Sequence, residues 1–192
     1  KDVRTYHYGA DNPSEIIADI VEEKGLLGGN IGTDLQSYAL PASYYMKLNA
    51  ALGNSTIEDS TNIVGRARLL KSNEEMKYIR AAAGYVNAGL EAALSNSRPG
   101  ITEIQLAANI EYAMRSKGSD YAAMPTWVAS GSRTPGGHAL AVDRELEFGD
   151  LIHVEVAGVS RRYQCVAMTT YSLGEPSYRT KELHAAAVEA LQ

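Results

Sequence analysis

Apolar residues along this chain recur with two periods, and each change of period marks an element boundary. After Pro13, the residues Ile16, Ile17, Ile20 and Val21 repeat at helical spacing until Gly25 ends the run, which predicts a short amphipathic helix. Asn30 to Asp34 follows the Gly28-Gly29 turn as a strand, Ala42 to Leu52 reads as a helix, and Ile57 to Ser60 reads as a short strand. From Lys71 the pattern lengthens. A Ser72 or Asn73 cap, with a glutamate near the third helical position, precedes Met76, Ile79, Ala83, Val86, Leu90 and Ala93 on one face of a long helix. Arg98-Pro99-Gly100 breaks it. Thr102 with Gln105 then forms a capping box for a second helix carrying Leu106, Ala107, Ile110, Ala113 and Met114, which Lys117-Gly118 closes.

Beyond Gly118 the period falls to two. Pro125 to Ser130 predicts a strand, and a loop through Pro135-Gly136-Gly137 delivers His138. From Leu151 to Ala157, Ile152, Val154 and Val156 point to one face while Leu151, His153, Glu155 and Ala157 point to the other. A carboxylate and an imidazole thus share a face. With Gly158-Val159-Ser160 as the turn, Tyr163, Cys165, Ala167 and Thr169 alternate with Gln164, Val166, Met168 and Thr170 in a second strand, completing a hairpin. Pro176, Ser177 and Thr180 introduce a last helix with Leu183, Ala186, Ala187 and Ala190 on a face. Helices and strands of these lengths place the chain in the α/β (α+β) class.

Composition narrows the function classes. A chain of 192 residues with 45% hydrophobic content can bury one sizeable core or two small ones. No apolar run approaches the roughly 20 residues needed to cross a bilayer, which excludes a membrane protein of that kind. The charged start, Lys1-Asp2-Val3-Arg4, is not followed by a signal-peptide core, so a cytoplasmic protein is expected unless a signal lies upstream. A net charge of −5 without basic blocks argues against a nucleic-acid partner. The single Cys165 excludes an intrachain disulfide and reads as a small buried hydrophobe.

Several spacings in the stretch from Gly136 to Gly174 resemble the creatinase/aminopeptidase P/prolidase family, the pita-bread fold. Gly149-Asp150 fixes the register. In metal-dependent members of that family an Asp follows six residues after the Gly, and a second lies eleven residues further on; here those positions hold Glu155 and Val166. The family tyrosine between them falls on Tyr163, its closing threonine on Thr170, and its histidine, eleven residues before the Gly, on His138. The Lys71-Ser72-Asn73-Glu74-Glu75 run likewise resembles the opening of the family's catalytic domain. The resemblance implies the end of a small N-terminal α/β domain over residues 1–68, followed by the first half of a pita-bread catalytic domain over residues 69–192. The second half, which in the family supplies another histidine and two glutamates, and the start of the N-terminal domain would lie outside these residues, and this piece alone is expected to be inactive.

Loss of a bridging carboxylate to valine is expected to abolish tight binding of a hard divalent cation, so no metal and no other cofactor is expected. Creatinase is a metal-free member, but its catalytic Glu position holds Met168 here. Glu155-Val156-Ala157-Gly158 with Arg161-Arg162-Tyr163 is more similar to the ectoine-hydrolase-like branch, although Gln164 and Thr169 depart from that branch's His and Arg. The expectation is a metal-independent hydrolase of a carbon–nitrogen bond in a small amide or cyclic amidine, with a small-molecule substrate and, by resemblance, a homodimer. Glu155 would attack or orient water, His138 would relay the proton, and Tyr163 and His153 would contact substrate. Each residue also has a plainer reading: His138 as a solvated loop histidine, Glu155 as the ion-pair partner of Arg161 or Arg162, His153 as structural, Tyr163 as an ordinary strand tyrosine, and Trp127 as core. Two other functions remain open: an Xaa-Pro aminopeptidase or dipeptidase using a metal, and a catalytically inactive pita-bread domain that binds proteins.

Overall fold

A computed structural model describes residues 3–7, 9–122 and 124–191, so Lys1 and Asp2 of the charged start lie outside the described residues. The chain divides into two compact units, residues 1–70 and 71–192. In the first, α1 (Pro13–Glu23), β1 (Asn30–Thr33), α2 (Ala42–Ala51), β2 (Thr56–Asp59) and α3 (Thr61–Ala67) follow in order. Asn12 caps α1 by accepting from the Ser14 backbone N–H, and β1 pairs with β2 in parallel. Ala18, Leu48 and Leu52 form a small core against Val21, Ile31 and Ile57. Helix α3 is an addition to the expected elements. Its seven residues bury nothing, and Ile63 and Val64 stand exposed, so no amphipathic period announces it.

The second unit begins with α4 (Asn73–Asn96) and α5 (Glu103–Ser116), each opened by a complete capping box, Ser72 with Glu75 and Thr102 with Gln105. These boxes satisfy backbone donors that the first turn leaves orphaned. Strands β3 (Trp127–Ser130), β4 (Leu151–Ser160) and β5 (Tyr163–Ser172) form an antiparallel sheet in that order, and α6 (Tyr178–Ala190) follows. Ile152, Val154 and Val156 are at most 1% exposed and pack with Val86, Ala93, Leu106 and Ile110 of the two helices. Each such burial stabilises by about 1.5–3 kcal/mol, an upper estimate against a compact unfolded chain. One face of the sheet is thereby committed to the core, and the other is left for the site.

The hairpin corrects one expectation. Gly158-Val159-Ser160 is not the turn; β4 runs through Ser160, which pairs with Tyr163, and the turn is Arg161-Arg162 with φ of 51° and 67°. Gly158 serves a different need. A Cβ there would collide with the Ala82 carbonyl oxygen and crowd Tyr85 and Val86, so the glycine lets β4 lie directly on α4. Among the described residues, no helix is long and apolar enough to cross a membrane.

Candidate active site

Strand register and a pinned loop bring the key side chains together. Trp127 of β3 pairs with Glu155 of β4, and directly opposed residues in an antiparallel ladder project to the same face. A short 3₁₀ helix (Gly131–Gly136) carries the chain away from β3, and Leu140 returns to bridge Trp127, so the intervening loop is pinned at both ends. His138 then stacks on the Trp127 indole, with ring centroids 4.4 Å apart and planes inclined by 24°. That stack sets the imidazole over Glu155: Nε2 lies 3.0 Å from Oε2.

The pair is close but poorly aligned. Glu155 Oε2 is fully buried and has no hydrogen-bond partner among the described residues, so the 3.0 Å approach is an ion-pair distance without hydrogen-bond direction. The carboxylate side chain is 9% exposed and the imidazole 62%, which leaves one group sheltered and its neighbour open to solvent. A buried acceptor without a donor is costly unless a ligand fills it. The surrounding cleft, of about 240 Å³, is lined by Met124, Pro125, Trp127, Val166 and Met168 beside the pair. A sheltered carboxylate next to a mobile proton carrier, in an apolar cleft, can act as nucleophile or as general base.

Residues not foreseen as part of the site hold this arrangement. Glu103, fully buried at the start of α5, accepts from the Ser130 N–H at 2.8 Å, the Ser130 hydroxyl at 2.7 Å, the Val142 N–H at 3.1 Å and the Arg133 guanidinium. Arg133 Nη2 also donates to the Leu140 carbonyl at 2.9 Å. Arg144 grips the Asp150 carboxylate through two bonds of 2.6 and 3.0 Å and donates to Ser130 Oγ at 2.6 Å. Gly131, with φ of 54°, fits here because a Cβ would strike Asp150 and Arg144. The only sequence signal for this network was Asp150 beside Gly149 and an acidic residue directly after the Thr102 cap.

The other foreseen residues are placed elsewhere. His153 shares the outer face with Glu155, but its Nδ1 lies 2.9 Å from Thr170 Oγ1 and its ring does not line the cleft. Tyr163 lies on the opposite face, where its hydroxyl donates to Glu75 at 2.8 Å and its ring stacks on Tyr78. The structure does not bring it to Glu155. Arg162 turns to Tyr121, and the described side chain close to Glu155 is His138. His7 and His184 are exposed, and Cys165 packs half-buried against the core. Among the described residues, no group of three or more His, Cys, Asp or Glu is placed to hold a metal ion. Glu155 and His138 offer two donor groups and Val166 offers none, so the residues of this chain do not by themselves fit a divalent metal centre.

The sequence profile of metallopeptidase family M24 matches residues 77–192. The chain belongs to this family. Among curated M24-like relatives, it is 31% identical to the uncharacterized peptidase YqhT of Bacillus subtilis (strain 168) over 90% of this chain and 48% of that protein. It is 25% identical to the ectoine hydrolase of Halomonas elongata, over 94% of this chain and 48% of the enzyme. Among solved structures, the Xaa-Pro dipeptidase from Bacillus anthracis superimposes with a TM-score of 0.82 at 28% identity, over 94% of this chain and 50% of that one. The M24 match and this superposition agree with the mixed helix and strand architecture described above. The chain spans about half the length of the curated relatives it matches.

Proposed function

We propose that the M24 protein to which these residues belong is a hydrolase that cleaves a carbon–nitrogen bond in a small amide or cyclic amidine without a metal. The observation that carries this reading is the His138–Glu155 pair, 3.0 Å apart in a cleft whose facing strand offers Val166 and Met168 instead of metal-ligating groups. Glu155 attacks the carbon of the scissile bond, forming a C–O bond, while protonated His138 delivers its proton to the nitrogen as the C–N bond breaks. Neutral His138 then takes a proton from water, whose oxygen attacks the acyl carbon and releases Glu155. Alternatively, Glu155 orients and deprotonates the water directly. In both routes the imidazole sits on the open side, where it can exchange protons with solvent. The 25% identity to an ectoine hydrolase supports the substrate class. The same reading takes the protein to be a cytoplasmic homodimer acting on a small molecule.

A second reading, an Xaa-Pro dipeptidase, is favoured by the fold match to the enzyme of that name. It requires more metal ligands than Glu155 and His138, the two that the described residues bring together, so the rest would have to come from elsewhere in the protein. One experiment separates the two. The full-length protein is dialysed extensively without chelator, analysed for manganese, cobalt and zinc, and assayed with ectoine and with glycyl-proline. Turnover of ectoine by metal-poor protein, falling by about 10²–10⁴-fold in Glu155→Gln, is the expected result. Stoichiometric metal with glycyl-proline cleavage would put the dipeptidase first, and no turnover of any amide would favour a binding domain.

A further inference from the structure

Arg161 and Arg162 are the only non-glycine residues with positive φ among the described residues. A two-residue hairpin turn of this hand favours Asn-Gly, because a side chain crowds its own backbone in the left-handed region. Such strain persists where surrounding contacts over-determine it, and it gathers at functional sites. Arg162 makes two such contacts with one residue. Its Nη1 donates to the Tyr121 carbonyl oxygen at 2.6 Å, and its guanidinium carbon lies 4.2 Å from the centre of the Tyr121 ring. The preceding residues are tied to the same hairpin: the Asp120 N–H donates to the Val159 carbonyl at 2.8 Å, and the Val159 N–H donates to Ser119 Oγ at 3.0 Å.

The segment held in this way lines a cavity that adjoins the candidate site. Met124, Pro125 and Ala157 line the Glu155–His138 cleft and also a second cavity of about 430 Å³, which adds Arg115, Asp120 and Tyr121. The two cavities adjoin along these three shared residues, outlining a groove. Ala157 lies two residues from Glu155 on the same face of β4, about 7 Å along the strand. We infer that Arg162 is a positioning residue for this groove: by clamping Tyr121 it fixes the wall against which the part of the substrate beyond the scissile bond lies. The effect on substrate rests on the hydrolase reading, whereas the clamp does not.

The test uses the full-length protein with two changes. The double variant Arg161→Asn/Arg162→Gly supplies a turn-matched pair and removes the guanidinium, and Arg162→Lys keeps a cation and a donor. Unfolding temperature, hydrogen exchange of peptides covering Ser119 to Ala122, and KM and kcat on ectoine and glycyl-proline are measured. In the double variant, the unfolding temperature holds or rises while exchange of that segment accelerates about tenfold or more. KM rises with kcat nearly unchanged, and Arg162→Lys recovers part of the protection. Unchanged exchange would overturn the clamp. Protection lost evenly across residues 71–192 together with a lower unfolding temperature would reduce Arg162 to an ordinary structural residue and also overturn it. An unchanged KM alongside faster exchange would overturn the role in the groove. Absence of turnover in the unsubstituted protein counts against the hydrolase reading alone, and the exchange result still decides the clamp.

Discussion

At Glu155 a buried carboxylate oxygen faces an imidazole that is near but out of line, so ligand binding can create a hydrogen bond there instead of breaking one. Catalytic contacts often tighten only in the bound complex. A neighbouring residue on β5 decides what else the cleft could hold. Val166 shares the cleft with Glu155 and is 52% exposed, so it tolerates a polar replacement within roughly 0.5 kcal/mol. Val166→Asp sets a second carboxylate beside the first. Elemental analysis after dialysis should find bound manganese or zinc in this variant and little in the parent; equal metal in both would remove Val166 as the reason for the expected loss. His138 and Glu155 were legible in the sequence because their spacing from Gly149 carried a register, and the structure sets them side by side. Tyr163 shows where spacing misleads. It lies three residues from Val166, an odd offset in a strand of period two, and so it must project to the opposite face, onto α4.

The helices α4 and α5 were readable from their caps and apolar stripes, but the work those caps do was not. Glu103 follows the Thr102 cap like any acidic first-turn residue, yet it is fully buried and bonds both the start and the end of the loop that carries His138. Only tertiary structure reveals this, because its partners lie 27 to 39 residues away. Glu103→Ala strands the Arg133 guanidinium and three further donors, and denaturant unfolding should show a loss of about 3–5 kcal/mol. Glu75 acts at the other end of the sheet. The Ser72 backbone and side chain and the Tyr163 hydroxyl hold its carboxyl down at about 2. A depressed carboxyl adds stability that is fully present above its unfolded value and is lost as pH falls through the folded one. The unfolding temperature should therefore decline between about pH 4.5 and 2, and Glu75→Gln should flatten that decline while lowering the plateau above it. A variant that declines as steeply as the parent would mean other carboxylates govern the acid limb. The turn at Arg161-Arg162 escaped sequence reading for a related reason: glycine marks turns, but Gly158 is spent on close packing, and the strained pair carries no turn signature.

At the scale of the whole molecule, the two faces of the β3–β4–β5 sheet have unequal cover. The inner face is sealed by α4 and α5 with Ile152, Val154 and Val156 nearly inaccessible, while on the outer face Val166 and Met168 remain more than half exposed. Helix α6 repeats the asymmetry, since its 13 residues bury nothing, Leu183 and Val188 stand at 53 and 42% exposure, and Leu191 at its C-cap is 88% exposed. A helix this short is marginal in water on propensity alone and depends on packing for its stability. About half the length of the matched relatives has no counterpart in this chain, and a segment of that kind would supply such packing. Hydrogen exchange on residues 1–192 prepared alone should therefore find α6 amides nearly unprotected and α4 amides, with six buried residues beneath them, protected close to the global limit. In the full-length protein, α6 protection should rise by orders of magnitude while α4 changes little. If α6 were equally protected in both, its stability would come from within these 192 residues.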